Sequence, residues 1–316
     1  MRIPAGADVW YWGQDMHRTR YVMMLPVDIR WRCFREMLCV AFGLGVLLLA
    51  GCTVLGGIQR SGAQAVPGAS DDALEGGYAR MRARLSGEFQ DRVPCQWGQA
   101  VDGVLTRLDT DHNVMALTFD ACGGPLSSGY DAELIRFLEE EQVAATLFMN
   151  ARWMLANPDA FRALAAEPLF EIANHGLLHR PCSVTGRWAY GIQGPSTVAD
   201  LVDEIELSGR MITALTGSRP VFYRPGTAYC DDIGVQVARS LGYVVAGFSV
   251  LGDAGATYTR EQVRDALLAA PPGAIVILHM NHPEGQTRHG VMEAVPLLKK
   301  RGVRFVTLSE GVDLAR

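Results

Sequence analysis

Two histidines with three residues between them, His175 and His179, follow the apolar run Glu171-Ile-Ala-Asn174. Neutral imidazole is a good ligand for zinc and its neighbours, and residues four apart share one face of a helical turn, so the pair is a candidate half-site for a divalent metal. The spacing alone fits a surface turn equally well. What adds weight is the company it keeps. Asp120 ends Thr118-Phe119-Asp120, Arg224 follows Val221-Phe-Tyr223, Asp253 follows the run 243–248, and His279 ends Ile277-Leu278-His279. Together these residues are what a hydrolytic site needs: ligands for a metal that activates water, a base to take a proton and an acid to return one.

For them to meet, the chain must bring them to one rim. From residue 114 onward, short apolar runs alternate with helical patterns: strands are expected at 114–119, 144–148, 170–173, 221–223, 243–248, 274–278 and 304–308. Helices are expected between them at 132–141, 159–166, 198–215, 233–241, 260–269 and 291–301. Strands alternating with helices imply an α/β fold with a parallel sheet, barrel or doubly wound, whose ligands gather at the C-terminal strand ends. Asp120, His175, His179, Arg224, Asp253 and His279 all fall there. An aspartate after a strand is ordinarily a helix cap, and a lone histidine a structural residue, but that account has to be invoked separately at every position.

Taken in order, Thr118-Phe119-Asp120, His175-Gly-Leu-Leu-His179, Tyr223-Arg224-Pro225 and Ile277-Leu278-His279 resemble the successive motifs of the polysaccharide deacetylase superfamily, as Gly302-Val-Arg-Phe-Val-Thr-Leu-Ser309 resembles its last strand. The resemblance implies a distorted (β/α)7 barrel that hydrolyses N-acetyl groups on a polysaccharide. It implies Asp120 as general base, His175 and His179 as metal ligands, Arg224 as the residue holding the base, His279 as general acid and Asp253 as its orienting carboxylate. The metal would be divalent, with zinc the first expectation.

The pattern is also broken in places. Ala121 stands where the family carries a second, metal-binding aspartate, leaving three outcomes open: Asp120 coordinates, Asp131 swings in, or there is no metal. Asp131 is carried as the candidate third ligand, against its competing use as N-cap of the helix that follows it. Gly176 replaces the family's Ser or Thr, and no second proline follows Arg224-Pro225. The Gly-rich run 122–129 lacks the Lys-Ser/Thr of a phosphate loop and reads as a mobile rim loop near substrate. Trp188 and Tyr190 have the chemistry to stack on a sugar ring, although core packing is the commoner fate of such residues. His282 and His289 are expected to face solvent or substrate.

The chain has 316 residues, 49% of them hydrophobic, enough for a substantial core. A net charge of -5 and the lack of any dense Lys/Arg stripe exclude a nucleic-acid partner. Three domains of sequence are expected: 1–52, an extension with an export signal; 53–95, a linker with a possible helix at 72–85; and 96–316, the catalytic domain. Arg30, Arg32 and Arg35 precede the apolar run 38–50, which is shorter than the ~18 to 20 residues of a spanning helix and fits an export signal. The run ends in Leu49-Ala50-Gly51-Cys52, which resembles the lipobox of bacterial lipoproteins and implies a lipidated Cys52. That makes the expected location the cell envelope, the outer membrane if Gram-negative. Cys95, Cys122, Cys182 and Cys230 would remain, with Cys122–Cys230 the first-choice disulfide, Cys95 and Cys182 paired or free, and buried free thiols as the alternative. The competing functions are a metal-independent, allantoinase-like amidase on the same scaffold and a lipoprotein that binds glycan without turning it over.

Overall fold

The computed structural model describes residues 71–314. The strands are β1 (Trp97–Gly98), β2 (Val114–Ala121), β3 (Ala145–Met149), β4 (Phe170–Asn174), β5 (Trp188–Ala189), β6 (Ile192–Gln193), β7 (Phe222–Tyr223), β8 (Cys230–Asp231), β9 (Val244–Val245), β10 (Val250–Leu251), β11 (Ala274–His279) and β12 (Arg304–Phe305). Eight of them form one sheet in the order β10-β11-β2-β3-β4-β7-β9, with β12 also paired to β2, and every pairing in it is parallel. β9 and β10 lie at opposite ends of that order yet only residues 246–249 separate them. Such a short connection requires the sheet to curl until its edges approach, which is the distorted barrel expected from the motifs.

β2 and β3 are buried at every position, as strands covered on both faces must be. Side-chain alternation sorts their residues. Met115, Leu117 and Phe119 pack under the surrounding helices with Leu134, Val276 and Val295. Val114 and Ala116 face the other way, into a small interior cluster with Phe148, Ala173, Phe222, Ala246 and Ile275. The same alternation carries Thr118 and Asp120 onto that inner face, at its C-terminal end.

Helices between the strands begin at side-chain caps: Asn150, Thr197 and Asp231 each accept from a first-turn N–H, and Thr259 and Thr307 form full capping boxes. The helix Val198–Thr216 stops at Gly217, whose φ of 75° is the left-handed turn that ends helices.

Four expectations are corrected. The run 243–248 is not one strand; β9 ends early, and β10 forms afterwards beside β11. Gly247 marks the break, where a Cβ would stand 2.8 Å from the Val104 side chain. The run 304–308 stops as a strand at Phe305, because Thr307 and Glu310 cap the helix Leu308–Asp313. The helix expected from 291 begins at Thr287 and continues through Pro296 to Lys300. Within the expected linker, the helix Asp71–Phe89 belongs to the folded unit: Leu85 and Phe89 are buried with Leu201, Ile205 and Val237, and Arg82 makes 2.7 and 3.0 Å hydrogen bonds to Asp203. The signal, Cys33, Cys39 and Cys52 lie outside the described residues. Among the described residues no helix is long and apolar enough to cross a membrane.

Candidate active site

The residues that end β2, β4, β7 and β11 converge, and the β2–β11 register puts His279 directly beside Asp120. Asp120 is buried, and its Oδ1 accepts a 2.8 Å hydrogen bond from Arg224 Nη1. Arg224 is wholly buried, yet each of its three side-chain nitrogens donates. Nη1 also donates to Thr118 Oγ1 at 2.9 Å, Nε to Ala246 O at 3.2 Å and Nη2 to Gly247 O at 2.8 Å, and the guanidinium lies 4.2 Å from the centroid of the Phe148 ring. A cation can be buried only with such partners, and the carboxylate it pairs with is thereby fixed in direction. Burial works to raise the Asp120 pKa, but Arg224, then His175 and His279, outweigh it and hold the carboxyl below its ordinary value. Asp120 is therefore ionised at neutral pH, with Oδ2 directed toward His175 Nε2 at 3.7 Å.

His175 Nδ1 lies 2.8 Å from the Arg224 carbonyl. A carbonyl can only accept, so Nδ1 carries the proton and Nε2 is the nitrogen left to bind a metal. Nε2 faces Cys122 Sγ at 3.8 Å, and the His179 ring packs edge-on to His175 with centroids 4.9 Å apart. One ligand atom from each of Cys122, His175 and His179 lies within 4.8 Å of the other two. Burial opposes ionisation of Cys122, but His179, then His175 and His279, overcome it and take the thiol well below its usual pKa. Against burial, Asp120 and Cys122 raise the proton affinity of His175. Proton and metal thus compete for one nitrogen, and metal binding is favoured as pH rises.

The two histidines do not share a helical turn, as their spacing had suggested. Gly176 (φ 78°) and His179 (φ 61°) are left-handed, and the loop is shaped by the buried carboxylate of Glu204. Glu204 accepts from Leu178 N with both oxygens at 3.0 Å and from Arg180 N at 3.1 Å, while its own carbonyl accepts from Leu177 N at 2.8 Å. A Cβ on residue 176 would stand 2.6 Å from Glu204 Oε1, which accounts for glycine between the histidines.

Burial pushes the Glu204 pKa up to about 7, with the backbone donors only partly offsetting it. A carboxyl whose folded pKa is raised adds stability that is fully present below its unfolded pKa of ~4.3 and lost as pH climbs through 7. The loss is on the order of 3 kcal/mol. Glu204→Gln keeps the acceptor oxygen and removes the titration. Thermal unfolding between pH 4 and 8 is expected to show a steeper decline in wild type than in this variant; parallel curves would refute the assignment.

Opposite the histidine loop, His279 Nδ1 lies 2.9 Å from Asp253 Oδ1, and the His279 backbone N and Thr287 Oγ1 both donate to Asp253 Oδ2, at 2.7 and 2.9 Å. Asp253 is completely buried and committed to holding this ring. Burial works to lower the His279 pKa, but Asp253, then Cys122, raise it well above the ordinary value. Both neighbours favour the protonated imidazole.

Asp131 is not brought to this cluster, which corrects the expected third ligand. Its carboxylate caps the helix Ala132–Glu140 through Leu134 N and pairs with Arg288, each at 3.0 Å. Cys122 stands by the histidines instead. That also corrects the expected Cys122–Cys230 pairing: Cys122 faces His175, and Cys230 is aligned with Cys182. The loop 122–129 is pinned by Gly123 N to Ser127 O, Trp153 Nε1 to Gly129 O and Asn281 Nδ2 to Ser127 O. Trp188 and Tyr190 are exposed on the β5–β6 hairpin, with Tyr190 edge-on to Tyr229. His282 pairs with Glu284 at 2.8 Å, and His289 is half-buried on the helix Thr287–Lys300. Cys122, Glu204 and Thr118 had not been singled out for these places. The signal for Cys122 was its position beside the anomalous Ala121.

Residues 107–246 match the polysaccharide deacetylase family model. A Bacillus cereus peptidoglycan-N-acetylglucosamine deacetylase is 26% identical over 211 residues, spanning 66% of this chain and 92% of the relative. Among solved structures, PdaA of Bacillus subtilis, a family 4 carbohydrate esterase, superposes with a TM-score of 0.57 at 19% identity, covering 83% of this chain and 98% of that one. A CE4 family pseudoenzyme from Bacillus anthracis superposes with a TM-score of 0.56 at 19% identity, covering 71% of each chain. Because the shared fold accommodates an inactive protein as well, the side chains at the rim must decide the activity.

Proposed function

We propose that this chain, whose residues 107–246 match the polysaccharide deacetylase family model, is a hydrolase of carbon–nitrogen bonds that removes acetyl groups from an N-acetylglucosamine-containing glycan of the cell envelope. The observation that carries the reading is the meeting of Asp120, Cys122, His175, His179 and His279 at one rim, with Asp120 Oδ2 turned toward His175 Nε2, the nitrogen that would hold a metal. A thiolate and two imidazoles suit zinc, whose catalytic sites pair three protein ligands with one open position. When bound, zinc supplies Lewis acidity that in favourable sites lowers a water's pKa to about 7.

The remaining steps belong to the chain. Asp120 takes the proton of the attacking water through Oδ2, while Arg224 keeps the carboxylate ionised and aimed. The protonated His279, held by Asp253, gives its proton to the departing amine, so that a neutral amine leaves instead of its anion. Export and lipidation at Cys52 would put the activity at the envelope, and mass analysis of the mature N terminus tests that placement. The central test is acetate release from N-acetylglucosamine oligomers before and after chelation, alongside zinc content. Chelation should abolish release and added zinc restore it; release that survives complete removal of zinc would overturn the metal-dependent reading.

One observation favours a second reading. His279 helps to lower the pKa of Cys122, Cys122 helps to raise that of His279, and Asp253 orients His279, so a thiol, an imidazole and a carboxylate share one neighbourhood. That array suits a metal-independent amidase working through an acyl-thioester. Its signature is an acetyl mass on Cys122 after rapid quenching.

A further inference from the structure

Three of the four cysteines among the described residues are buried, and only Cys122 belongs to the site above. The other two buried thiols lie opposite one another. Cys182 and Cys230 form a parallel bridge, with Cys182 N donating to Tyr229 O at 2.9 Å and Asp231 N to Cys182 O at 2.8 Å. The neighbouring Cys230 thiol, then burial, push the Cys182 thiol well above its ordinary pKa. Paired strands run about 4.7–4.9 Å apart. Disulfides need Cα separations of roughly 4.4–6.8 Å with side chains on the same side, and directly opposed parallel residues meet both conditions. A Cβ on Gly234 would stand 2.8 Å from Cys182 Sγ, so the pair lies packed under the start of the helix Asp232–Ser240.

The bridge joins two segments that matter. Cys182 comes three residues after His179, and Cys230 ends the segment that begins at Arg224. Gly226 N donates to Arg180 O at 3.1 Å, and a Cβ on Gly226 would stand 2.3 Å from the His179 carbonyl carbon. The two segments are therefore laced together from His179 to Asp231.

We infer that Cys182 and Cys230 form a disulfide that locks the histidine loop to the segment following Arg224, leaving Cys122 free to bind metal. Because both sulfurs are inaccessible in the folded chain, the bond forms while these segments are still coming together. One thiolate attacks a small-molecule disulfide such as oxidised glutathione and expels one thiol; the second thiolate then attacks the mixed disulfide and expels the other. Two protein thiols are oxidised to one disulfide, and one external disulfide is reduced to two thiols.

The full chain, denatured and reduced, is refolded with glutathione buffered toward oxidation, then unfolded, alkylated and digested without reductant. A peptide linked through Cys182 and Cys230, with alkylated Cys122, is expected. The refolded protein should also melt roughly 5–10 °C above a Cys182→Ala/Cys230→Ala double variant. Both thiols alkylated in protein that has regained its native melting transition, or either one linked to Cys122 or Cys95, would overturn the inference. Peptide mapping needs neither zinc nor turnover, so this outcome is independent of the proposed activity.

Discussion

Asp120→Asn is expected to lower kcat for acetate release on the order of 10³-fold. The amide cannot take a proton from water, and no other carboxylate stands at Asp120's place beside His175 and His279. The substitution has a second consequence. Arg224 is entirely buried and Asp120 is its carboxylate partner, so removing that charge leaves a buried cation uncompensated, at a cost of about 3–5 kcal/mol. The variant should therefore melt lower than wild type while still folding at moderate temperature. Zinc content and glycan affinity, measured below the new melting point, are expected to hold. Retained turnover would remove Asp120 from the chemistry; loss of glycan binding along with turnover would recast it as a residue that shapes the site.

Cys122→Ala is expected to weaken zinc binding by more than about 100-fold, since the loss of residues that merely orient ligands already costs 10–100-fold. Two histidines would remain, fewer protein ligands than catalytic zinc ordinarily has. Purified variant should carry well under one zinc per chain and regain part of its activity in excess zinc. Asp131→Asn is the control. It removes charge from a helix cap and an ion pair, so it should lower stability while leaving zinc content and turnover near wild type. Full zinc occupancy in Cys122→Ala would transfer the third ligand to another group. Abolished turnover with unchanged zinc would favour the thioester route.

Strand positions and the residues just past them were legible because parallel strands buried on both faces leave an apolar run, and the polar residue that ends it is conspicuous. Asp120, His175, Arg224 and His279 were found that way. Where structure depends on contacts distant in sequence, the reading failed. Nothing within 175–179 reveals that Glu204 shapes the loop, or that Gly176 makes room for it. Asp131 was weighed both as ligand and as cap, and local capping won because Leu134 N and Arg288 satisfy its carboxylate. The position of Cys122 just past a strand end pointed to a disulfide with Cys230, whereas its contact with His175 and the alignment of Cys182 with Cys230 depend on segments far apart in sequence. The short strands β1, β8 and β10 are too brief to produce any periodicity of their own.

The helix Asp71–Phe89 carries none of the recognisable motifs, yet it packs across the helices Val198–Thr216 and Asp232–Ser240. Leu85 and Phe89 are buried against Leu201, Ile205 and Val237, and burying two side chains of this size stabilises the fold by roughly 3–6 kcal/mol. A protease that nicked the chain between this helix and residue 96 would leave every chemical group in place and still uncover a greasy recess on the enzyme's flank. Loss of the leading helix would thus favour aggregation, and the length of chain that the fold requires is set by packing rather than by catalysis.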